Sequence, residues 1–405
     1  MENESSSIGN SNKLDEITQL FTKMGIYALT EYKNCLSTEY NNTMSKLFNE
    51  LSEKVLEIIS KNKDKDLKEL VISSLESLPR QLGGHILPIS LDLMFRSDGH
   101  SFSKLFHAFK KNNLQPFSLN INKVFVNTCL KFASTDEFKS ITTFYLCSDE
   151  ITGLSRHGSL IKEDNTYTGG HPFGGKRDKL TSMIASTLSA NFSLEMGKLV
   201  DRKIFDEVCG QRKSLPTFDA RVFPTNSKIV GEMFLSRILS CHRNTVSEFH
   251  DYFFGTKAGF GMSSTDKKKH MMTDYQYDFD KECPSCLKYG IFIKDGHVLV
   301  PTKIPKNDDK FVEFLYEKRF DDLKVSSDEF VSFEDMLKLY PEGNYIPETI
   351  RTEKNKQYEK NNQIAIEKKL LKEEKSKQYI RPDRDEVIRL RNEKMKLKHK
   401  KIEKQ

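Results

Sequence analysis

Residues 89–99 read ISLDLMFRSDG and residues 141–150 read ITTFYLCSDE, and these two stretches decide the fold. In the first, Ile89, Leu91, Leu93 and Phe95 alternate with Ser90, Asp92, Met94 and Arg96, the period-two pattern of a strand. The second, rich in Thr, Phe, Tyr and Ile as far as Cys147, is another strand. Ser148, Asp149 and Glu150 then form a tight turn into a third strand over residues 151–154. Leu119, Ile121, Val124, Phe125, Cys129 and Phe132 mark a helix between the first two strands. Leu180, Met183, Ile184, Leu188 and Phe192 mark another after the third, and residues 217–223 read as a fourth strand. The order β-α-β-β-α-β is the split arrangement of ferredoxin-like domains, so the fold class is α+β. Its first and third strands are central antiparallel neighbours. Asp98, after the first strand, and Asp149, in the turn, are 51 residues apart in sequence yet are expected to meet at one sheet edge.

Outward from this core the pattern changes. Met44, Leu47, Phe48, Leu51, Val55, Ile58 and Ile59 recur at three- and four-residue spacing, the stripe of a helix that faces a core or a partner. A second helix is expected over residues 67–78, ended by Pro79, and a long one over residues 227–254. The chain divides into a helical N-terminal region (1–84), a ferredoxin-like domain (85–300), a peripheral segment (301–350) and a basic tail (351–405), helical or disordered. The tail holds 19 Lys and Arg against 10 Asp and Glu. The net charge of +6 is therefore a tail property, and the other 350 residues carry a balance of −3. Such a body binds a polyanion only through a local basic face or a metal ion. Nothing approaches the roughly 20 apolar residues of a membrane helix. Seven scattered cysteines and the polar N-terminus point to an intracellular, reducing compartment, the cytoplasm by default, with a mitochondrial or nuclear location open.

Two carboxylates at one edge ionise together only if a cation neutralises them, and hard oxygen ligands beside a triphosphate suit Mg2+. By spacing alone an Asp-Gly pair is more often just a turn. Gly169, Gly170, Gly174 and Gly175, ahead of Lys176, Arg177 and Lys179 at a helix start, fit phosphate binding or a plain surface loop. Cys283 and Cys286 are read as a structural turn, because zinc needs about four ligands and no second pair is evident.

Leu87 and Pro88 precede the first strand, then come Arg96, Ser97, Asp98, Gly99, His100, Ser101 and Phe102. Followed by Ser148 to Glu150, by Phe218 to Arg221 and by Cys241, His242 and Asn244, these motifs in order resemble the tRNA(His) guanylyltransferase family. Ser148, Asp149 and Glu150 resemble its Ser-Asp-Glu, and Phe218, Asp219, Ala220 and Arg221 its Phe-Asp-(Gly/Ala)-Arg. Cys241, His242 and Asn244 resemble its Cys-His-x-Asn, with His242 open between a buried helix residue and a site group. Gly255, Thr256, Asp266 and Lys267 echo later elements.

The resemblance implies a palm that adds nucleotides in the 3′-to-5′ direction, after ATP adenylylates an RNA 5′-monophosphate. By position, Asp98, Asp149 and the Gly99 carbonyl would hold two Mg2+ ions, with Glu150 supporting catalysis. Asp98, Gly99, His100, Ser101, Phe102, Ser103, Ser148 and Asp149 would bind the nucleotide, joined by Arg177 and Lys179; Asp219, Arg221, His242 and Asn244 are secondary candidates. Expected partners are tRNA or a tRNA-like RNA, ATP, and GTP or other NTPs, with a homo-oligomer, tetrameric by resemblance, and no membrane. Gln115, Pro116, Phe117 and Ser118 stand where the family carries Lys-Pro-Asn-Asp; Thr245 replaces its second Asn, and Lys288, Tyr289 and Gly290 its Arg-Lys-Gly. These departures weaken G addition to tRNA(His) specifically and set template-dependent 5′-end repair level with it. A non-catalytic RNA-binding descendant and another palm enzyme such as a cyclase are the alternatives.

One expectation concerns the tail alone. Each neutralised phosphate of single-stranded RNA changes the log–log salt slope by roughly 0.7. Deleting residues 351–405 should weaken RNA binding and flatten its salt dependence in a filter-binding assay. Unchanged affinity and slope would assign the tail another role.

Overall fold

The structure is a computed structural model of the chain. It describes residues 38–61, 65–81, 87–106 (less 89 and 104), 116–156, 171–206 (less 204), 215–317, 329–340 and 344–378, with a few positions between 17 and 27 and residue 389. The chain forms two units, Met1–Ile346 and Pro347–Gln405.

The first unit opens with helices α1 (Thr38–Lys61) and α2 (Lys65–Gln81). Helix α2 runs two residues past Pro79, beyond the expected stop. Strand β1 (Asp92–Gly99), helix α3 (Leu119–Ala133), strands β2 (Ile141–Cys147) and β3 (Glu150–Ser155), helix α4 (Arg177–Leu199) and strand β4 (Phe218–Thr225) follow. After helix α5 (Val230–Phe254) come α6 (Ser264–Tyr275) and the short helices α7 (Phe279–Glu282) and α8 (Ser285–Tyr289). Strands β5 (Ile291–Lys294) and β6 (His297–Pro301), helix α9 (Asp309–Tyr316), strand β7 (Phe330–Ser332) and helix α10 (Phe333–Lys338) complete it. The second unit is described by helix α11 (Glu348–Gln378), a charged helix whose Ile366, Leu370 and Leu371 are exposed.

The sheet order β4-β1-β3-β2-β5-β6-β7 begins with the 4-1-3-2 order of the ferredoxin-like fold. Strands β5 to β7 add to its β2 edge, a widening that the residue pattern did not disclose. Strand β1 starts later than its alternation suggests and runs on through Asp98, which pairs with neighbours on both sides, to Gly99, which pairs with Phe218 of β4.

Both sheet faces are covered. Phe95 and Phe144 meet α3 through Phe132, while Phe102 packs against Phe125, Phe192 and Phe218. Ring pairs of this kind add about 0.5–1.5 kcal/mol beyond burial. On the opposite face, Met94, Leu154 and Phe223 share a core with the apolar stripe of α1, with Val71, Ile72 and Leu75 of α2, and with Phe234 and Ile238 of α5. The stripe is a core face of this chain.

Lys294 ties the added strands to α9. Its buried Nζ donates to Thr143 Oγ1 at 2.7 Å, to the Leu315 carbonyl at 3.1 Å and to the Phe314 carbonyl. Two of these acceptors are last-turn carbonyls of α9, which an ammonium satisfies well. Lys294→Met would take the Nζ donor from the Phe314 carbonyl, while the Leu315 carbonyl keeps the Thr143 and Thr142 hydroxyls, and should cost about 1–3 kcal/mol, read as a lower urea midpoint. An unchanged midpoint would show that the ammonium is dispensable.

Candidate functional site

The site follows from register. Asp98 lies opposite Glu150 on β3 and opposite Asp219 on β4, so three carboxylates form an acidic row across the sheet. Two residues back along β1, on the same face, Arg96 lies opposite Arg221 and Thr152. A basic row therefore stands one pleat behind the acidic one. Like charges placed directly opposite repel, so each row needs the other and further partners besides.

The backbone fixes the acidic end. Asp149 occupies the turn between β2 and β3, and its carbonyl accepts the Gly99 N–H at 3.0 Å. This bond joins the Asp98 turn to the Asp149 turn. The next N–H, of His100, donates to the Thr217 carbonyl at 2.8 Å. Ser97 Oγ donates to the Asp219 carbonyl at 2.5 Å, and the Asp98 N–H reaches Asp219 Oδ1 at 3.3 Å. Ser101 (φ 57°) and Ser148 (φ 56°) are both left-handed, a conformation that bends each turn sharply. At Gly99 any Cβ would lie 2.4 Å from the Phe102 ring, so the position requires glycine.

The carboxylates show the expected crowding. Burial and then the charge of Asp98 push Asp149 up to about 6. Asp98 is raised as well, by desolvation and then by Glu150 and Asp219, with Arg96 and Arg221 opposing. Behind the row, Arg237 of α5 grips Glu150 with two bonds, Nε to Oε1 at 2.8 Å and Nη2 to Oε2 at 2.9 Å. Arg96 Nε approaches the same carboxylate at 3.7 Å and gives Nη1 to Glu76 of α2 at 2.5 Å. Among the described residues this cluster holds five carboxylates and three guanidinium groups, leaving two negative charges uncompensated. Their oxygens are hard donors, and the deficit fits a divalent cation.

The remaining expected residues are placed as follows. His100, Ser101, Ser103 and Ser148 are exposed along the two turns, with Ser101 Oγ 3.5 Å from His100 Nε2. The Phe102 side chain is buried among four other phenyl rings, so this residue can offer a ligand only its backbone. Arg177 and Lys179 stand apart. They begin α4, which is docked at the other end of β1: Leu87 N–H donates to the Gly175 carbonyl at 2.9 Å, and His171 Nε2 lies 2.9 Å from the Pro88 carbonyl. From Asp92 to Asp98 the strand alone spans about 20 Å. Arg177 bonds Asp178, and Lys179 lies over the Phe173 ring. Gly169 and Gly170 lie outside the described residues.

On α5, His242 stacks on Tyr289 and meets Phe279 edge-on, and Asn244 is exposed. Cys241 and Thr245 hold the Leu287 carbonyl instead. Asp266 caps α6 with Ser263, and Lys267 bonds Ser247. Cys283 and Cys286 are buried free thiols in the α7–α8 turn. Phe106, Phe117, Asn122, Cys147 and Leu287 enclose a recess of about 30 Å³ beside Ser148, room for little more than a water.

Arg237 and Glu76 were not singled out from the sequence. The available signal was a charge set into an apolar stripe: Arg237 between Phe234 and Cys241, and Glu76 one turn after Ile72.

Asp149 also sets a pH dependence. Its folded pKa lies above its ordinary value of 3.8, so the fold gains from its protonation. That stability is complete below about pH 4 and is lost as pH rises through about 6. Asp149→Asn should therefore raise the melting temperature of the metal-free protein at pH 7.5 and change it little at pH 4. A melting temperature lowered at pH 7.5 would contradict this electrostatic picture.

Residues 84–226 match the family model described as tRNAHis guanylyltransferase (Thg1). A bacterial tRNA(His) guanylyltransferase-like protein solved with ATP is 24% identical, over 57% of this chain and 93% of its own, with a TM-score of 0.45. The corresponding protein solved with GTP is 22% identical over 55% and 80%, with a TM-score of 0.35. The tRNA(His) guanylyltransferase of Saccharomyces cerevisiae is 19% identical over 56% and 95%, with a TM-score of 0.43. No curated protein sequence matches the chain significantly. Over residues 84–226, about a third of its length, the chain is similar to the tRNA(His) guanylyltransferase family.

Proposed function

We propose that this chain is a Mg2+-dependent 3′-to-5′ nucleotidyltransferase that extends the 5′ end of tRNA or a tRNA-like RNA. The observation that carries this reading is the meeting of Asp98 and Asp149 at one sheet edge, with two negative charges left uncompensated around them. Asp98, Asp149 and the Gly99 carbonyl would hold the two Mg2+ ions of this reading, and bound there the metal would supply charge neutralisation for an attacking oxygen and a departing phosphate group.

The chain's own residues do the positioning. The turn of His100, Ser101, Phe102 and Ser103 would line the triphosphate on one side, and exposed Ser148 would line it on the other. Glu150, clamped by Arg237, cannot swing toward the ligand and so fixes the start of β3. In the first step a 5′-phosphate oxygen attacks the α-phosphorus of ATP, forming a P–O bond and releasing pyrophosphate. In the second, the 3′-hydroxyl of GTP or another NTP attacks the activated 5′ phosphorus, and AMP leaves.

Base choice is expected to come from the opposite strand of the acceptor stem. Three positions that depart from the family pattern serve packing here. Phe117 is tied through its backbone to Tyr345, Thr245 holds the Leu287 carbonyl, and buried Lys288 donates to the Asp280 carbonyl. None of the three side chains is thereby poised to read guanine.

The test uses tRNA lacking its first nucleotide, with Mg2+, ATP and each NTP in turn. The wild-type protein should add the nucleotide that pairs with the opposite strand. Asp98→Ala and Asp149→Ala should each lower the rate roughly a thousandfold, the equivalent of losing several kcal/mol of metal stabilisation, with unchanged circular dichroism. Near wild-type rates in either variant would refute the metal assignment. Addition of G alone, whatever the opposing base, would restore strict guanylyl transfer.

A further inference from the structure

Helix α2 lies outside the family-matched residues 84–226, yet it sends one charge into the site. That charge is Glu76, whose side chain is 6% exposed. Its neighbours on the buried face of α2, Val71, Ile72 and Leu75, are apolar. A well-packed apolar residue would serve stability at least as well as a buried carboxylate with its partner. Burial raises the pKa of Glu76, and Arg96 followed by Arg237 works against that rise. The carboxylate therefore sits among cations.

Its partner explains the placement. Arg96 faces Arg221 directly across β1 and β4, an unfavourable pair unless an anion draws one of them aside. Glu76 takes Nη1 of Arg96 at 2.5 Å, while Nε of the same guanidinium points to Glu150 at 3.7 Å. The planar fork thus links α2 to Glu150, the residue next to Asp149. Arg96 is also two residues from Asp98 on the same strand face. Released from Glu76, it would have Asp98 and Glu150 as its remaining anions and would compete with a cation for Asp98.

We propose that Glu76 is a positioning residue for the carboxylate site: it anchors Arg96 away from Asp98 and, through Arg96, orients Glu150 and the turn bearing Asp149. The N-terminal helices are then part of the working site. This rests on the metal-dependent reading above and extends it to residues outside the family-matched segment.

The test compares full-length wild type with E76Q and E76D. Mn2+ affinity is measured by electron paramagnetic resonance, kcat and KM by 5′ extension, and melting temperature alongside. E76Q keeps the shape and loses the charge, and it should weaken Mn2+ binding about 10–100-fold, the usual range for a residue that orients a ligand. Its kcat should fall with little change in the KM for NTP, and E76D, which keeps the charge, should stay close to wild type. If E76Q does not fold, Arg96→Lys, which keeps the charge but loses the fork, should show the same loss of Mn2+ affinity. Wild-type Mn2+ affinity and kcat in E76Q, whatever its melting temperature, would overturn the proposal. Mn2+ binding without any transfer by the wild type would refute nucleotide transfer, while the Mn2+ comparison still decides the role of Glu76. A wild type that binds no Mn2+ would overturn both.

Discussion

Asp219, Asp98 and Glu150 stand side by side on three neighbouring strands, and their mutual repulsion is the constraint that the surrounding structure answers. Cross-strand neighbours on one face sit about 5 Å apart, so three carboxylates in a row would not stay ionised unaided. The answer comes in layers. Arg96 and Arg221 form a second row behind the first, Arg237 takes Glu150 from α5, and Glu76 takes Arg96 from α2. The end left uncompensated is the one where Asp98 meets Asp149 across a backbone hydrogen bond.

The rest of the fold keeps this end rigid. Phenylalanine rings fill the space between the sheet and α3 and α4, and Phe102 presses on Gly99 from that side. On the other side, α1, α2 and α5 cover the apolar part of the face as far as Met94, where the charged residues begin. One strand face thus changes from core to site within four residues, from Met94 to Asp98.

Much of this was legible in the sequence. The period-two runs and the single order of strands and helices gave the split arrangement, and with it the meeting of Asp98 and Asp149. What was not legible depended on contacts between distant segments. Met94 read as a polar-side position because nothing local says that α1 and α2 cover that face. Arg237 and Glu76 each sit among apolar neighbours on a helix, and only the assembled sheet shows what they neutralise. Arg177 and Lys179 fit phosphate binding by their position at a helix start. Because β3 runs away from the acidic end, the helix after it starts at the far end of the sheet. Strands β5 to β7 are short, and their pairing to β2 carries little periodic signal.

The most direct test of the account is the melting temperature of the wild-type protein between pH 4 and pH 8, with saturating Mg2+ or with Na+ at equal ionic strength. A cation held by Asp98 and Asp149 replaces their repulsion with attraction and binds only when they are ionised. In Na+ the carboxylate crowding should lower stability as pH rises through about 6, the value to which Asp149 is pushed. In Mg2+ that loss should vanish or reverse, and the two curves should coincide near pH 4. Coincident curves over the whole range would contradict the claim that these two carboxylates form a metal site.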